Sequence, residues 1–268
     1  MNPIKVIYED DDILVLDKPA GITVNRSDTT KGEETVQDWI EKQFSIFNFQ
    51  FSKENEQTDF YKRSGIVHRI DKETSGILLA AKNIEAFENL QHQFKERVVK
   101  KTYIALVHGK VVPESGEISV PVGRLPWNRK KFGVVAGGRE AVTRYRVISN
   151  FQFPRLPKPQ PALQAEALQA GGAGGQAISN KKTETLSLLE LNPLSGRTHQ
   201  IRVHLKYSNH PIFADFLYAG RKTSRDDRKF LNRVFLHAYK ISFMHPKTNE
   251  QISFESPLPS ELTKIIEG

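Results

Sequence analysis

The run Gly76-Ile77-Leu78-Leu79-Ala80-Ala81 constrains the fold more than any other feature of this chain. An apolar run this short, opened by a glycine, reads as a buried strand. Comparable runs recur at Ile13 to Leu16, Tyr103 to Val107, Ala141 to Ile148, Leu186 to Leu191 and Ala238 to Phe243, several of them alternating with period two. Helical patterns are fewer. "ETVQDWIEKQF" sets Val36, Trp39, Ile40 and Phe44 on one face, with Thr35 and Asp38 spaced as a capping box. "NIEAFENLQHQFKER" does the same with Ile84, Phe87, Leu90 and Phe94 behind Asn83 as N-cap. A third helix falls in "RTHQIRVHLKYS" and a fourth begins at Ser260. Strands and helices do not alternate regularly, so the expected class is α+β, a mixed and largely antiparallel central sheet with flanking helices and loops.

One stretch cannot belong to that sheet. From Pro154 to Lys182 the sequence passes from Pro-rich to Ala/Gln/Gly-rich and lacks the apolar content to pack. It is expected to be a mobile surface insertion, at about 154–182, in the connection between two strands, with room for a short helix at Ala162 to Gln169. The 268 residues otherwise suit one domain, 1–268.

Charge points to the partner. Lys and Arg number 39 against 31 Asp and Glu, a formal charge of +8, which favours a polyanion, with nucleic acid the leading candidate. Without cysteine there are no disulfides, zinc–thiolate sites or thiol nucleophile. The N-terminal residues carry no signal-peptide pattern and no segment approaches a membrane span, so the expectation is a cytoplasmic protein that does not engage a membrane.

Directly before the buried run stands a charged cluster, His68-Arg69-Ile70-Asp71-Lys72-Glu73. Ionised groups beside a core are costly unless paired or put to use. The hydroxyls and backbone donors of Thr74-Ser75-Gly76 are expected to orient the Asp71 carboxylate, with Arg69 a planar cation two residues away. A second cluster, "SGRTHQIRVHL" from Ser195 to Leu205, again sets Gly, Arg and His against apolar residues, which suggests a shared cleft.

These segments resemble the RluA-type pseudouridine synthases. "GIVHRIDKETSG" matches that family's His-Arg-Leu-Asp motif with Ile70 for the leucine, "KKTYIALVHG" its Lys-x-Tyr strand and "GRTHQIRVH" its third motif. "ILVLDKPAGITV" and "RVFLHAYKISFMHP" are also family-like, so the similarity runs from about Ile4 to the C-terminal helix.

The resemblance implies an enzyme, an isomerase that converts uridine in ribosomal or transfer RNA to pseudouridine. Breaking the bond from base to ribose develops positive charge on the sugar, which a carboxylate stabilises or traps. The resemblance gives that role to Asp71. It places Arg202 beside it to keep the carboxylate charged and aimed, with Arg197 in reserve, and it puts Tyr103 against the uracil, stacking on it or taking part in proton loss from carbon 5. Catalysis is thus expected from Asp71, Tyr103 and Arg202, and substrate binding from Arg69, His68, Thr74 and Arg197. Arg69 is expected to fill the space left when the nucleotide leaves its stack. His199 and His204 are read as structural hydrogen bonders. An isomerisation needs no metal, cofactor or bound nucleotide, and the expected state is a monomer.

Departures from the family pattern are few. No N-terminal S4 domain is expected. The loop "HPIFADFLYAG" has Ala214 and Ala219 where glycine is usual and a bulky Phe216, and it is expected to carry none of the chemistry. Two further readings remain: a catalytically silent RNA-binding or ribosome-assembly relative, and a metal-dependent hydrolase using His68, Asp71, His199 and His204.

Overall fold

A computed structural model describes residues 3–27, 30, 32–46, 58–154 and 183–267. The strands β1 (Lys5–Glu9), β2 (Ile13–Lys18) and β3 (Ser75–Ala81) pair antiparallel, with Leu16 opposite Leu78. Alternate side chains of β2 and β3 point to opposite faces. Leu14, Leu16, Leu78 and Ala80 pack under Val36 and Ile40 of α1 (Val36–Ile46), and Ile13, Val15, Ile77 and Leu79 pack on Phe87 and Leu90 of α3 (Ile84–Lys95). Helices on both faces explain why the Gly76 to Ala81 run is apolar throughout rather than alternating. Each fully buried Leu or Ile here contributes about 1.5–3 kcal/mol.

The sheet continues from β3 to β10 (Leu236–Met244), then β4 (Lys100–His108), β9 (Thr183–Pro193), β8 (Val142–Pro154) and β5 (Ser115–Ser119). Among the described residues only the β3–β10 pair is parallel, so the class is α+β as expected. Ala238 faces Gly76, which has φ +107°, and a side chain at Gly76 would run into the Ala238 carbonyl. No residue but glycine permits that approach. Past Ala238 the strand β11 (Gln251–Glu255) takes over the edge of β10 that β3 has left.

Both expected helix starts are present. Thr35 N–H donates to Asp38 at 2.8 Å while Asp38 N–H donates to the Thr35 hydroxyl at 3.2 Å, a reciprocal capping box. Asn83 accepts from Ala86 N–H at 2.8 Å. The side chain of Phe44 lies outside the described residues. Helices α4 (Gln200–Tyr207) and α6 (Ser260–Glu267) lie where the sequence places them. The short helices α2 (Asp59–Lys62) and α5 (Arg221–Asp227), and a separate hairpin of β6 (Val122–Leu125) and β7 (Asn128–Val134), have no counterpart in the sequence reading.

Strands β8 and β9 form a long hairpin, paired as far as Pro154 opposite Thr183, so Pro154, expected to open the insertion, instead ends a strand of the sheet. The stretch from 155 to 182, with the suggested helix Ala162 to Gln169, is therefore the connection between two antiparallel strands, and it lies outside the described residues.

Candidate active site

Asp71 sits on the loop that enters β3, and this loop is fastened at three points. The Lys72 carbonyl accepts from Gly21 N–H at 2.7 Å and from Lys18 Nζ at 3.2 Å. Glu73 accepts from Arg228 at 2.6 Å and from Val234 N–H at 3.1 Å. The His68 Nε2 accepts from Leu79 N–H at 2.9 Å, and its ring stacks on Phe94 at 5.0 Å. Lys18 is fully buried at the end of β2 and also donates to the carbonyls of Pro19 and Ile22, each at 2.9 Å. Burial pushes its amine down to about 7, the Arg233 charge adding to the effect and Asp71 and Asp17 opposing it. His68 is held to about 3 by burial and then by Lys101 and Arg63, so its ring is a neutral acceptor.

Across the loop, α4 presents Arg202, which is buried. Its Nη1 donates to Asp71 Oδ2 at 3.0 Å, while Nε and Nη2 donate to the two oxygens of Asp215 at 2.8 and 2.9 Å. Asp215 is itself fully buried and accepts from the backbone N–H groups of Leu217 and Tyr218. Burial opposes the Arg202 charge, but the two carboxylates outweigh it and raise the guanidinium well above its ordinary value. The Tyr218 ring lies 5.0 Å from that guanidinium. His199 occupies the N-cap of α4 with φ 56°; its Nδ1 is 2.9 Å from the Tyr218 hydroxyl and its Nε2 3.9 Å from Asp71 Oδ2. Burial lowers the His199 pKa, with Arg202 adding to the effect and Asp71 opposing it.

These groups open on a cavity of about 550 Å³. Its lining holds Arg63, Arg69, Lys95, Arg97, Lys101, Arg197 and Arg202, and Asp71 is the sole carboxylate among the described residues there. Tyr103 enters from β4, its phenol raised above the ordinary value by burial and then by the charge of Asp71. Burial brings the Lys101 amine down to about 8. The surroundings suit a polyanion, with Asp71 the one carboxylate among the described lining residues.

Every site residue expected from the sequence lines this cavity, but several are engaged differently. The hydroxyls of Thr74 and Ser75 do not meet the Asp71 carboxylate: the Thr74 hydroxyl is buried without a partner, and Ser75 Oγ is 2.9 Å from His237 Nδ1, while Thr74 N–H donates to the Asp71 backbone carbonyl at 3.1 Å. Arg197 turns to the Glu140 carbonyl at 3.2 Å, so Arg202 is the partner of Asp71. Arg69 is exposed and makes no hydrogen bond or ion pair among the described residues. His204 is buried with Nε2 at 3.1 Å from the Val120 carbonyl, a structural role. With the Nε2 of His68 and of His204 committed in this way, the four residues of the hydrolase reading do not converge as a ligand set.

Sequence reasoning missed Asp215, Tyr218 and Lys18. The first two belong to the loop "HPIFADFLYAG", which was expected to stand apart from the chemistry and instead supports it. A lysine closing an apolar strand, as Lys18 closes "ILVLDK", was a readable signal.

The chain is similar to known proteins in both sequence and fold. The sequence profile of a family described as RNA pseudouridylate synthase matches residues 12–207. Ribosomal large subunit pseudouridine synthase D of Neisseria meningitidis serogroup B is 34% identical over 97% of this chain and 60% of its own length. An RNA pseudouridine synthase of Bacillus subtilis is 33% identical over 98% of this chain and 72% of its own. The chain thus spans about 60% of the length of the first of these curated relatives. Two solved structures share the fold: human RNA pseudouridylate synthase domain containing 1, with TM-score 0.64 and 24% identity over 97% of this chain and 87% of that one, and domain containing 4, with 0.65 and 21% over 98% and 91%. With nearly three quarters of its length inside the matching profile, and the motifs of that stretch folded around one cavity, the chain belongs to the RNA pseudouridylate synthase family.

Proposed function

We propose that this chain isomerises uridine in RNA to pseudouridine, with Asp71 acting at the ribose. The observation that carries the reading is the chain of contacts Asp215–Arg202–Asp71 at the wall of a cationic cavity. Arg202 is shared between two carboxylates, so it aims Asp71 without cancelling the negative charge of the group as a whole. That charge stabilises or traps the cationic sugar that forms as the base departs. Tyr103 supplies a flat face for the uracil. Its raised pKa keeps the phenol protonated in the free enzyme, which supports stacking over service as a ready-made base. Arg69, exposed and unengaged, is suited to fill the gap left by an extruded nucleotide.

In this reading residues 1–268 are a single catalytic domain that acts as a monomer, without cofactor, in the cytoplasm. No helix among the described residues is long and apolar enough to cross a membrane. The relatives named as ribosomal large subunit enzymes favour ribosomal over transfer RNA as substrate. Mapping pseudouridine across both RNA classes in cells with and without the gene tests the reading. A site that disappears with the gene, and returns when the purified protein is given an unmodified transcript, is expected; unchanged maps and an inert protein would overturn it.

A further inference from the structure

The hairpin β6–β7 stands outside the main sheet and ends in a two-residue turn, Pro126-Trp127, with Leu125 paired to Asn128. Such turns are built from Gly, Asn, Asp and Pro; nothing in their geometry asks for an indole. Trp127 is 79% exposed, more than any other large hydrophobic residue described. The root of the hairpin is bolted to the active site. Phe132 N–H donates to the Tyr218 hydroxyl at 3.2 Å, the Phe132 ring meets His199 edge-on at 5.5 Å, and Lys131 Nζ donates to the Leu217 carbonyl at 3.1 Å. From Phe132 to the tip is a reach of roughly 16 Å at about 3.3 Å per residue. Next to Leu217, Phe216 is 61% exposed with the Arg228 guanidinium 5.8 Å from its ring. Arg124 lies over Phe132 at 5.3 Å, and Arg129 and Lys130 follow Trp127 on β7.

Exposed aromatic rings interleaved with cations, extending from the rim of a cationic cavity, fit single-stranded nucleic acid, whose bases stack on the rings while its phosphates meet the charges. We infer that the β6–β7 hairpin is a second RNA contact in which Trp127 stacks on an unpaired base flanking the target nucleotide. The inference rests on the reading of RNA as substrate.

The chain has two tryptophans, so Trp39→Phe leaves Trp127 as the sole indole reporter. Titration with a short oligouridylate is expected to quench its emission saturably, whereas heparin, a polyanion without bases, binds without quenching. In the full chain Trp127→Ala is expected to weaken binding to a stem-loop RNA between about fivefold and a hundredfold, the range for loss of one stacked base. Trp127→Tyr retains most of the affinity, and Trp127→Leu does not. Oligouridylate binding without quenching, equal quenching by heparin, or full affinity in Trp127→Ala each overturns the inference. Quenching and the affinity loss in a protein that forms no pseudouridine would uphold this contact and sink the proposed activity. Pseudouridine formation with full affinity in Trp127→Ala would do the reverse.

Discussion

Asp215 grips Arg202 with both carboxylate oxygens, at 2.8 and 2.9 Å, so the plane of the guanidinium is set before Asp71 meets it at 3.0 Å. Bidentate pairing of this kind fixes orientation as well as charge. Asp215→Asn keeps the shape but removes that hold. It is expected to lower kcat at least about tenfold and to cost on the order of 3 kcal/mol in stability, as for a broken buried ion pair. Turnover assays and urea titrations check both; an unchanged kcat would show that Arg202 needs no anchor.

Arg202→Met is expected to remove most turnover and to destabilise the fold by about 3–5 kcal/mol, because Asp215 is left buried and unpaired. Arg197→Met, whose side chain meets a carbonyl rather than Asp71, is expected to affect RNA affinity more than kcat. Steady-state kinetics on the two variants decide which arginine serves the carboxylate, and the reverse pattern would exchange their roles.

Asp71→Asn is nearly isosteric and removes the charge offered to the ribose. Isomerisation is expected to vanish while melting behaviour and most RNA affinity persist. Substantial turnover by a mutant verified free of deamidation would end the assignment.

His108 lies between Asp227, 3.0 Å from Nε2, and Glu184, 3.4 Å from Nδ1. Burial pushes its pKa down, but hydrogen bonds to Asp227 and then Glu184 prevail and raise it to about 9. A pKa raised on folding means that the native state binds the proton more tightly. The stabilisation is therefore fully present below about pH 6.5 and is lost as pH rises through about 9, on the order of 3 kcal/mol in all. The difference in unfolding free energy between the wild type and His108→Gln, measured by urea titration from about pH 6 to pH 10, is expected to shrink by that order; a constant difference would contradict the charged state.

Replacing 161–175 with a short Gly/Ser turn is expected to leave the melting temperature nearly unchanged, since the β8–β9 ladder is complete at Pro154 and Thr183 and loop length affects stability only slowly. A large drop in melting temperature would show that the removed segment packs against the rest of the protein.

What could be read from the sequence was local or carried by a long motif. The Thr35/Asp38 capping box, the Asn83 cap and the buried β3 follow from spacing and hydrophobicity, and Asp71, Tyr103 and Arg202 from motif resemblance. What escaped depends on partners distant in the chain. Asp215 looks like a loop aspartate until α4 brings Arg202 to it, and the Thr74 hydroxyl looks like a partner for Asp71 but is buried without one. The β6–β7 hairpin escaped for another reason: its strands are short, interrupted by glycine and basic residues and mostly half-buried, so no apolar rhythm marks them.

The parallel seam between β3 and β10 has a consequence for how the protein is made. Ser75 Oγ and His237 Nδ1, which meet at that seam, are 162 residues apart in the chain. At 5–20 residues per second, ribosomal synthesis of that interval takes roughly 8–30 s. Throughout it the strand that carries the Asp71 loop has β2 on one side but lacks β10 on the other, and for most of it Arg202 and Asp215 do not yet exist. A nascent chain therefore has no assembled catalytic centre until nearly all of the described residues have been synthesised. Premature termination would yield an apolar strand with an open edge, a substrate for chaperones and proteases rather than a partially active enzyme.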